Sequence, residues 1–425
     1  MSMPFSTLGL SPTLQRAVSH YAAPTPVQES VIPSILKGRD VLATAETGSG
    51  KTSAYLLPIL ERFLSAPHRS SREIHALVLV PTRELAAQVR EVAQELAVHL
   101  PNRIKIVSAV GGVSINPQMM ALRGGTDILV ATPGRLLDLL DQNALTLSGV
   151  KTLVLDEADR MLDAGFSGEL DRILSLLPQV RQNLLFSATF PTSVESLAGT
   201  ILENPVRIHL EPAPNETPVI TQRYLRVDAV KRAPLLRHLI QTEGWKRILV
   251  FVATQYAADH VADKLRRNGI SALAFHGALS QGARSDALLD FKNSLIQVLV
   301  ATDLASRGLD IVKLPAVINY DPPRSTDDYT HRIGRTGRAG TPGLAISFVT
   351  AESSPHYQLI EKRLRFHPVR EEITGFEPDR EAPADNTAPG TGGIKGHRKS
   401  KKDKIREAAA RKPHNGPSPE KNEKS

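Results

Sequence analysis

Residues 40–52 read DVLATAETGSGKT, in which a short apolar run is followed by a glycine-rich loop and then by a segment of helical period. In such a loop successive backbone N–H groups point at phosphate oxygens, the lysine adds a positive charge, and the threonine hydroxyl can hold Mg²⁺. The first loop position is Ala45 instead of glycine, so only the relaxed pattern is met. The stretch predicts a phosphate-binding loop with the candidate nucleotide-binding residues Thr47, Gly48, Ser49, Gly50, Lys51 and Thr52.

Apolar runs like the one before this loop recur along the chain and alternate with segments of helical period. In the first half they span 40–43, 76–80, 128–131, 153–155 and 184–186, and in the second half 248–252, 272–275, 298–300 and 316–318. This alternation is typical of βαβ units that build a parallel sheet. We therefore predict an α/β fold with two tandem domains, each a parallel sheet flanked by helices.

Proline content and charge set the predicted boundaries. Residues 211–218 contain three prolines and predict an exposed linker between domains at 1–210 and 219–374. From residue 375 apolar periodicity disappears, which predicts a disordered tail over 375–425. The segment from Thr391 to Ser425 holds 11 Lys or Arg and 4 Asp or Glu, so it carries +7 of the net charge of +8. A solubilising tail and a tail that attracts nucleic acid both fit this charge.

The composition excludes several classes of site. The 425 residues include no cysteine, which excludes disulfides, thiolate zinc sites, iron–sulfur clusters and cysteine nucleophiles. An apolar window of about 18 residues and the pattern of a signal peptide are both missing from the sequence. We expect a cytoplasmic protein that does not bind a membrane.

An acidic cluster follows the apolar run 153–155. A phosphate loop supplies only one hydroxyl to Mg²⁺, so a carboxylate from elsewhere is needed, and Asp156 lies where a strand is predicted to end. Glu157 can then orient or deprotonate the attacking water. The alternative is a solvated acidic start of a helix, since acidic residues favour first turns.

Residues 156–159 spell Asp-Glu-Ala-Asp, and the chain resembles a DEAD-box RNA helicase of superfamily 2 from about Phe5 to Arg370. The arrangement of fold, loop and tail is most similar to bacterial members of the RhlE type. The resemblance implies two RecA-like domains, ATP with Mg²⁺ as the nucleotide, and RNA as the partner. It also implies that Asp159, Ser187 and Thr189 couple hydrolysis to strand separation.

Residues 24–28, Pro-Thr-Pro-Val-Gln, resemble the adenine-reading motif of that family. The resemblance implies that Gln28 binds the adenine edge and that the upstream aromatic Phe5 covers the ring. An alternative needs no nucleotide, because Thr25 as N-cap and Gln28 three residues later form a capping box. Both interpretations can hold together.

Three segments of the first domain match motifs that the resemblance assigns to RNA. Their hydroxyls, exposed N–H groups and guanidinium groups suit backbone contact, and none of these segments contains an aromatic residue that could stack a base. We expect binding without strong sequence preference. The alternative is a set of ordinary strand-to-helix turns with threonine caps. The candidate residues are Pro81, Thr82, Arg83, Gly112, Thr132 and Arg135.

The second domain lacks a phosphate loop but contains residues 331–338, His-Arg-Ile-Gly-Arg-Thr-Gly-Arg. Glycines hold this segment open while Arg335 and Arg338 project, which suits arginine fingers that neutralise charge on a γ-phosphate. A basic surface turn is the alternative. By resemblance His331 lies near the γ-phosphate, Asp310 near the ribose, and the RNA contacts of this domain are Gly277, Arg284 and Thr302.

The predicted function is an RNA-dependent ATPase whose two domains close when ATP and RNA bind together. Closure would locally unpair short duplexes or remodel RNA–protein complexes. The alternative from another class is an ATP-gated RNA clamp or assembly scaffold with little unwinding. A duplex-DNA translocase and a GTPase fit the motifs less well. Ribosomal or RNA-degradation proteins are the protein partners that the resemblance suggests.

Overall fold

The computed structural model describes residues 4–45, 48–64, 73–210, 220–306, 311, 314–337 and 342–379. Within these ranges no helix combines the length and the apolar character needed to cross a membrane. The predicted linker 211–218 and most of the predicted tail lie outside the described residues.

Seven parallel strands form the first sheet. They are β1 (Val41–Thr44), β2 (Ala76–Leu79), β3 (Ile106–Ala109), β4 (Ile128–Ala131), β5 (Thr152–Leu155), β6 (Gln182–Ser187) and β7 (Val206–His209). Their order across the sheet is β3-β4-β2-β5-β6-β1-β7. In the part of this domain that the structure describes, a short 3₁₀ helix at Phe5–Leu8 precedes nine α-helices, which are α1 (Pro12–Ala17), α2 (Pro26–Leu36), α3 (Lys51–Leu64), α4 (Arg83–Ala97), α5 (Ile115–Leu122), α6 (Pro133–Asp141), α7 (Ala158–Asp163), α8 (Ser167–Leu176) and α9 (Thr192–Ile201).

A second sheet of seven parallel strands follows. Its strands are β8 (Ile220–Arg226), β9 (Ile248–Val252), β10 (Ala272–Phe275), β11 (Val298–Thr302), β12 (Ala316–Asn319), β13 (Gly343–Val349) and β14 (Val369–Glu371). Their order is β10-β11-β9-β12-β13-β8-β14. The helices are α10 (Arg232–Glu243), α11 (Gln255–Arg267), α12 (Gln281–Lys292), α13 (Asp303–Ser306), α14 (Thr326–Ile333) and α15 (Ser354–Leu364). The predicted fold of two tandem α/β domains is confirmed.

Alternate strand residues fill two apolar cores on opposite faces of the first sheet. Val41 and Ala43 pack with α2 and α3 in one core, whereas Leu77 and Leu79 pack in the other. A strand that is buried on both faces needs apolar residues at every position. This is why the central strands can be recognised in the sequence as continuous apolar runs.

Five strands of the described residues were not predicted, namely β3, β7, β8, β13 and β14. In β3 and β13 a serine interrupts the apolar residues. The edge strand β7 and the strands β8 and β14 carry arginine, histidine or glutamate on a partly exposed face. A strand with one solvent-exposed face lacks a continuous apolar run. The strands β7, β8 and β14 are also too short or irregular for a clear alternation of period two.

The predicted start of the disordered tail at residue 375 is wrong for residues 375–379. Phe376 packs against the core of the second domain, and its ring lies 5.3 Å from that of His238. Lys231 Nζ donates hydrogen bonds to Glu377 O (2.7 Å) and Asp379 Oδ1 (2.8 Å). One aromatic anchor and one ion pair hold this segment, and neither produces a periodic signal in the sequence.

Candidate nucleotide and nucleic-acid site

The glycine-rich loop connects β1 to α3, as predicted. Gly48 and Gly50 have φ angles of +83° and +91°, in the left-handed region that favours glycine. Lys51 begins α3, is buried, and donates a hydrogen bond from Nζ to Ala45 O (2.6 Å). The lysine charge therefore lies inside the loop. Thr47 lies outside the described residues.

Gln28 links the start of α2 to this loop. Its Oε1 accepts a hydrogen bond from Thr25 N (3.0 Å), and its Nε2 donates one to Gly50 O (3.3 Å). A Cβ at Gly50 would lie 2.7 Å from Gln28 Nε2, so glycine is needed for this approach. The glutamine contact of the predicted capping box is thus present, and Gln28 also lies beside the nucleotide loop. Phe5 is partly buried against the first core.

Asp156 follows β5 and is almost fully buried, with 2 % of its surface exposed. Its Oδ2 accepts a hydrogen bond from Tyr55 Oη (2.9 Å), while its Oδ1 is buried without a hydrogen-bond partner in the described part of the chain. Tyr55 lies one helical turn after Lys51 in α3 and is itself fully buried. A buried carboxylate oxygen without a donor fits a cation ligand, because leaving it unpaired is costly. The residues present therefore fit Mg²⁺.

Asp156 makes the stability of the nucleotide-free protein depend on pH. Burial raises the pKa of its carboxyl from 3.8 to about 6, although the Lys51 charge opposes this shift. Between these two values the folded protein binds the proton more tightly than the unfolded chain does. The contribution of Asp156 to stability should therefore fall as pH rises from about 4 to about 7, by up to about 3 kcal/mol.

Denaturant unfolding of the parent and of Asp156→Asn at several pH values in that range measures this effect. The free energy of unfolding of the parent should decrease relative to that of the variant as pH rises. Parallel curves for the two proteins would contradict the raised pKa.

Glu157 is the N-cap of α7 and has a left-handed backbone, with φ 55° and ψ 51°. Such a conformation costs a non-glycine residue about 1 kcal/mol or more, and strained residues of this kind cluster at functional sites. The carboxylate is buried, and its Oε2 accepts a hydrogen bond from Arg160 Nη1 (2.9 Å). Arg160 thus holds Glu157 in a defined orientation one residue beyond Asp156.

Asp159 joins the acidic cluster to the segment after β6. Its Oδ2 accepts hydrogen bonds from Thr189 N (2.9 Å) and Thr189 Oγ1 (2.8 Å), and its N–H donates to Ser187 Oγ (3.4 Å). Burial alone would raise the pKa of this carboxyl, but the Thr189 hydrogen bonds, the Arg160 charge and the Ser187 hydrogen bond together hold the pKa below its ordinary value. The structure brings the three predicted coupling residues together.

The candidate RNA residues of the first domain follow β2, β3 and β4. Thr82 caps α4 by accepting a hydrogen bond from Leu85 N (3.3 Å). Thr132 does not cap α6 with its side chain and instead accepts from Gly111 N (3.3 Å). The capping interpretation therefore holds for Thr82 and is wrong for Thr132. Pro81 directly precedes Thr82 and lies two residues after the end of β2.

Arg83 lies against Gly112. A Cβ on Gly112, whose φ is +71°, would meet the Arg83 guanidinium at 2.1 Å. The Gly111–Gly112 turn is held by Gln118, which accepts from Val110 N (2.9 Å). Arg135 is buried and donates from Nη2 to Val113 O (2.8 Å). Arg83 and the buried Arg135 thus both contact the segment 112–113 at the carboxyl edge of the sheet.

Arg332, in α14, is the central residue of the second domain's site, and sequence reasoning gave it no role. It is 1 % exposed and donates two hydrogen bonds to the Asp303 carboxylate, from Nε (2.5 Å) and from Nη2 (2.7 Å). It also donates to Asn319 Oδ1 (3.1 Å), and its guanidinium lies 5.0 Å from the Phe251 ring centroid. Arg332 fixes α14 to the ends of β11 and β12.

Arg335 follows directly from this anchored helix and is buried, with 5 % of its surface exposed. Its carbonyl accepts a hydrogen bond from Leu314 N (3.1 Å), and its N–H donates to Arg332 O (3.3 Å). His331 lies in the last turn of α14, and Thr302 ends β11. Arg338 and Asp310 lie outside the described residues.

Arg284 forms an ion pair with Glu84 that joins the second domain to the first. Its Nη2 lies 2.9 Å from Glu84 Oε1, both side chains are buried, and its guanidinium lies 5.0 Å from the Phe275 ring centroid. Burial lowers the pKa of Arg284, although Glu84 opposes this. The predicted RNA contact Gly277 is exposed nearby. Arg284 stays a predicted RNA residue, but in this arrangement its guanidinium faces a carboxylate.

Sequence reasoning missed Tyr55, Glu84 and Arg160 as well as Arg332. Tyr55 could have been found, because it lies four residues after Lys51 and therefore on the same helix face. Arg160 likewise lies one turn after Glu157. Glu84 and Arg284 are 200 positions apart in the chain, and nothing in either segment indicates the pairing.

The chain matches two protein-family models. The family model described as DEAD/DEAH box helicase matches residues 25–197, and the helicase conserved C-terminal domain matches residues 231–340. ATP-dependent RNA helicase DRS1 of Saccharomyces cerevisiae is 43 % identical over 370 residues, which are 85 % of this chain and 49 % of that protein. This chain therefore spans about half the length of that relative.

DEAD-box ATP-dependent RNA helicase RhpA of Helicobacter pylori is 41 % identical over 348 residues, which are 81 % of this chain and 69 % of that protein. Among solved structures, S. cerevisiae Dbp5 bound to RNA and ADP BeF3 has a TM-score of 0.76 and 31 % identity. That likeness covers 87 % of this chain and 95 % of the Dbp5 chain.

Proposed function

Because the chain belongs to the DEAD-box RNA helicase family, we propose that it is an RNA-dependent ATPase that unpairs short RNA duplexes. The observation that carries the proposal is the division of the site between two domains. Lys51, Asp156 and Glu157 follow strands of the first sheet, whereas Arg335 lies in the second domain. Hydrolysis would then wait until both domains meet around one nucleotide.

In the first domain, Gly48, Ser49, Gly50 and Lys51 would bind the phosphates of ATP, and Gln28 with Phe5 would hold the adenine. Thr52 and Asp156 would hold Mg²⁺, which offsets negative charge on the phosphates when bound. Tyr55 keeps the Asp156 carboxylate oriented through its 2.9 Å hydrogen bond. Glu157 would accept a proton from the attacking water. Thr47 joins this set on the sequence alone.

In the second domain, Arg335 and Arg338 would neutralise charge that develops on the γ-phosphate, with His331 nearby and Asp310 at the ribose. Support comes from the anchoring of α14, since the Arg332–Asp303 pair fixes the backbone from which Arg335 projects. Such preorganisation reduces the cost of ordering the guanidinium during hydrolysis.

RNA would bind through its backbone along the carboxyl edges of both sheets, at the residues predicted from the three first-domain segments and at Gly277, Arg284 and Thr302. The Asp159 hydrogen bonds to Ser187 and Thr189 support coupling, because they connect the ATPase carboxylates to the strand next to β1. A movement of the acidic residues after β5, or of the segment after β6, would be transmitted through these hydrogen bonds.

ATP turnover with and without single-stranded RNA, with duplex DNA as the control, tests this function. We expect RNA to stimulate turnover and duplex DNA to leave it near the basal rate. Equal turnover in all three conditions would contradict the proposal. A strand-displacement assay on a short RNA duplex then separates an unwinder from the alternative, an ATP-gated clamp.

The basic segment from Thr391 to Ser425, outside the described residues, is proposed to tether RNA electrostatically. For single strands, log affinity changes with log salt by about 0.7 per phosphate contacted. Deleting this segment should weaken RNA binding mainly at low salt and reduce that slope by about 2 to 4. The kcat at saturating RNA should stay close to that of the parent. Binding titrations at three or four salt concentrations measure the slopes, and identical slopes would indicate a solubilising tail.

Finer assignments stay predictions. We propose domains at 1–210 and 219–379, joined by 211–218, with the end of the second domain moved to include Phe376. The relatives DRS1 and RhpA do not support an RhlE-type subgroup. A cytoplasmic location stays a prediction from the composition of the sequence, and ribosomal or RNA-degradation partners stay a prediction from the family resemblance.

A further inference from the structure

Tyr256 and His260 form a stacked aromatic pair on the exposed face of α11. Their ring centroids are 5.6 Å apart and their planes are inclined by 11°. Tyr256 has 77 % of its surface exposed, although it is a large aromatic residue. Its ring therefore has one face against His260 and most of its remaining surface in water. A flat, partly apolar ring held in this way is a platform on which another ring can stack.

The first turns of α11 contact the segment after β10. His276 Nε2 lies 3.1 Å from Asp259 Oδ1, and Gln255 Nε2 lies 4.0 Å from the position of a Cβ on Gly277. In the sheet β10, β11 and β9 are neighbours, so Gly277, Thr302 and the start of α11 lie at one edge. The aromatic pair thus borders the surface proposed for RNA.

We propose that Tyr256, supported by His260, stacks a nucleobase of the single RNA strand that passes over Gly277. The inference rests on the proposed RNA-dependent function and adds a base contact to a surface otherwise suited to backbone contact. Stacking tolerates any sequence, because every base has a flat π face. The exposed amide of Gln255 can add a hydrogen bond to a base edge.

The charge at this place favours a base over a phosphate. Asp259 lies one position before His260 and is 61 % exposed. A carboxylate repels phosphate oxygens but does not repel a neutral ring. The first-domain segments proposed for RNA contain no aromatic residue, so among the proposed RNA contacts this base stacking would belong to the second domain.

Abasic scanning tests the proposal. The full chain is titrated with a ten-nucleotide single-stranded RNA in the presence of ADP and beryllium fluoride, and each base is removed in turn while its ribose phosphate is kept. For the parent we expect one position at which removal weakens binding about fivefold or more. In Tyr256→Ala that position should lose its penalty, while Tyr256→Phe should keep it.

Val230→Ala is the matched control, because it removes a side chain that is 83 % exposed in the same domain. This variant should reproduce the scan of the parent. A flat scan for the parent, or an unchanged penalty in Tyr256→Ala, would overturn the proposal, because neither result is compatible with a base stacked on Tyr256.

The proposed function has a separate readout in the same proteins. RNA-stimulated ATP turnover at saturating RNA should be similar in the parent and Tyr256→Ala, since no ATPase residue is changed. If the parent shows no RNA stimulation, the proposed function fails. If stimulation is present and the scan is flat, only the stacking inference fails.

Discussion

Glu157→Gln should lower the kcat of ATP hydrolysis by about 10²- to 10⁴-fold while ATP-dependent RNA binding is retained. The amide has the same shape and can still accept the hydrogen bond from Arg160 Nη1, but it cannot take a proton from water. Steady-state turnover and RNA titration in the presence of ATP measure the two properties separately.

Two comparisons make this result specific. Glu195→Gln changes an exposed glutamate of α9 and should leave turnover near that of the parent. Lys51→Ala should weaken nucleotide binding as well as turnover, because it removes a charge that contacts the phosphate loop. If Glu157→Gln hydrolyses ATP within about threefold of the parent rate, Glu157 is not the proton acceptor.

Arg335→Ala should lower kcat by about 10³-fold, with a much smaller effect on ATP affinity. The reason is that an arginine acting on the transferring phosphoryl group stabilises charge that develops mainly in the transition state. Single-turnover kinetics at saturating ATP and RNA measure the loss, and nucleotide titration measures the affinity.

A structural explanation must be excluded, because Arg335 is buried. Arg363→Ala on the exposed side of α15 is the control, and thermal unfolding of Arg335→Ala should stay close to that of the parent. A fragment that ends at Leu210 should bind nucleotide weakly and show no RNA-stimulated turnover. Hydrolysis by that fragment at the rate of the full chain would contradict a site divided between two domains.

The sequence was sufficient for most central strands and for the loop after β1, but it did not predict β13 and β8, which lie inside the second sheet. Buried parallel strands require apolar residues at each position, and the loop requires glycines with positive φ, so both constraints are local and visible. Edge strands such as β7 have one solvent-exposed face and therefore lack the continuous apolar run that identifies a buried strand. The anchoring of Phe376 depends on a single long-range packing contact.

The site residues also fall into two groups, those with a local sequence signal and those whose role depends on contacts between distant segments. Lys51, Asp156 and Glu157 could be predicted because each follows a recognisable strand or loop. The role of Arg332 could not, since its hydrogen bonds reach Asp303, Asn319 and the backbone of Asp321 from three separate segments. A residue that acts by connecting segments becomes visible only once those segments are placed in space.

The ion pair between Glu84 and Arg284 also bears on how easily the two domains separate. Two buried charges lose their hydration, and this loss offsets most of their attraction, so such a pair contributes little net stability. Separation returns both groups to water and restores that hydration. A shifted arrangement of the two domains, by contrast, would leave two buried charges without partners. The pair therefore favours one alignment of the domains with little net gain in stability, which is compatible with the domain separation that the proposed ATPase cycle requires.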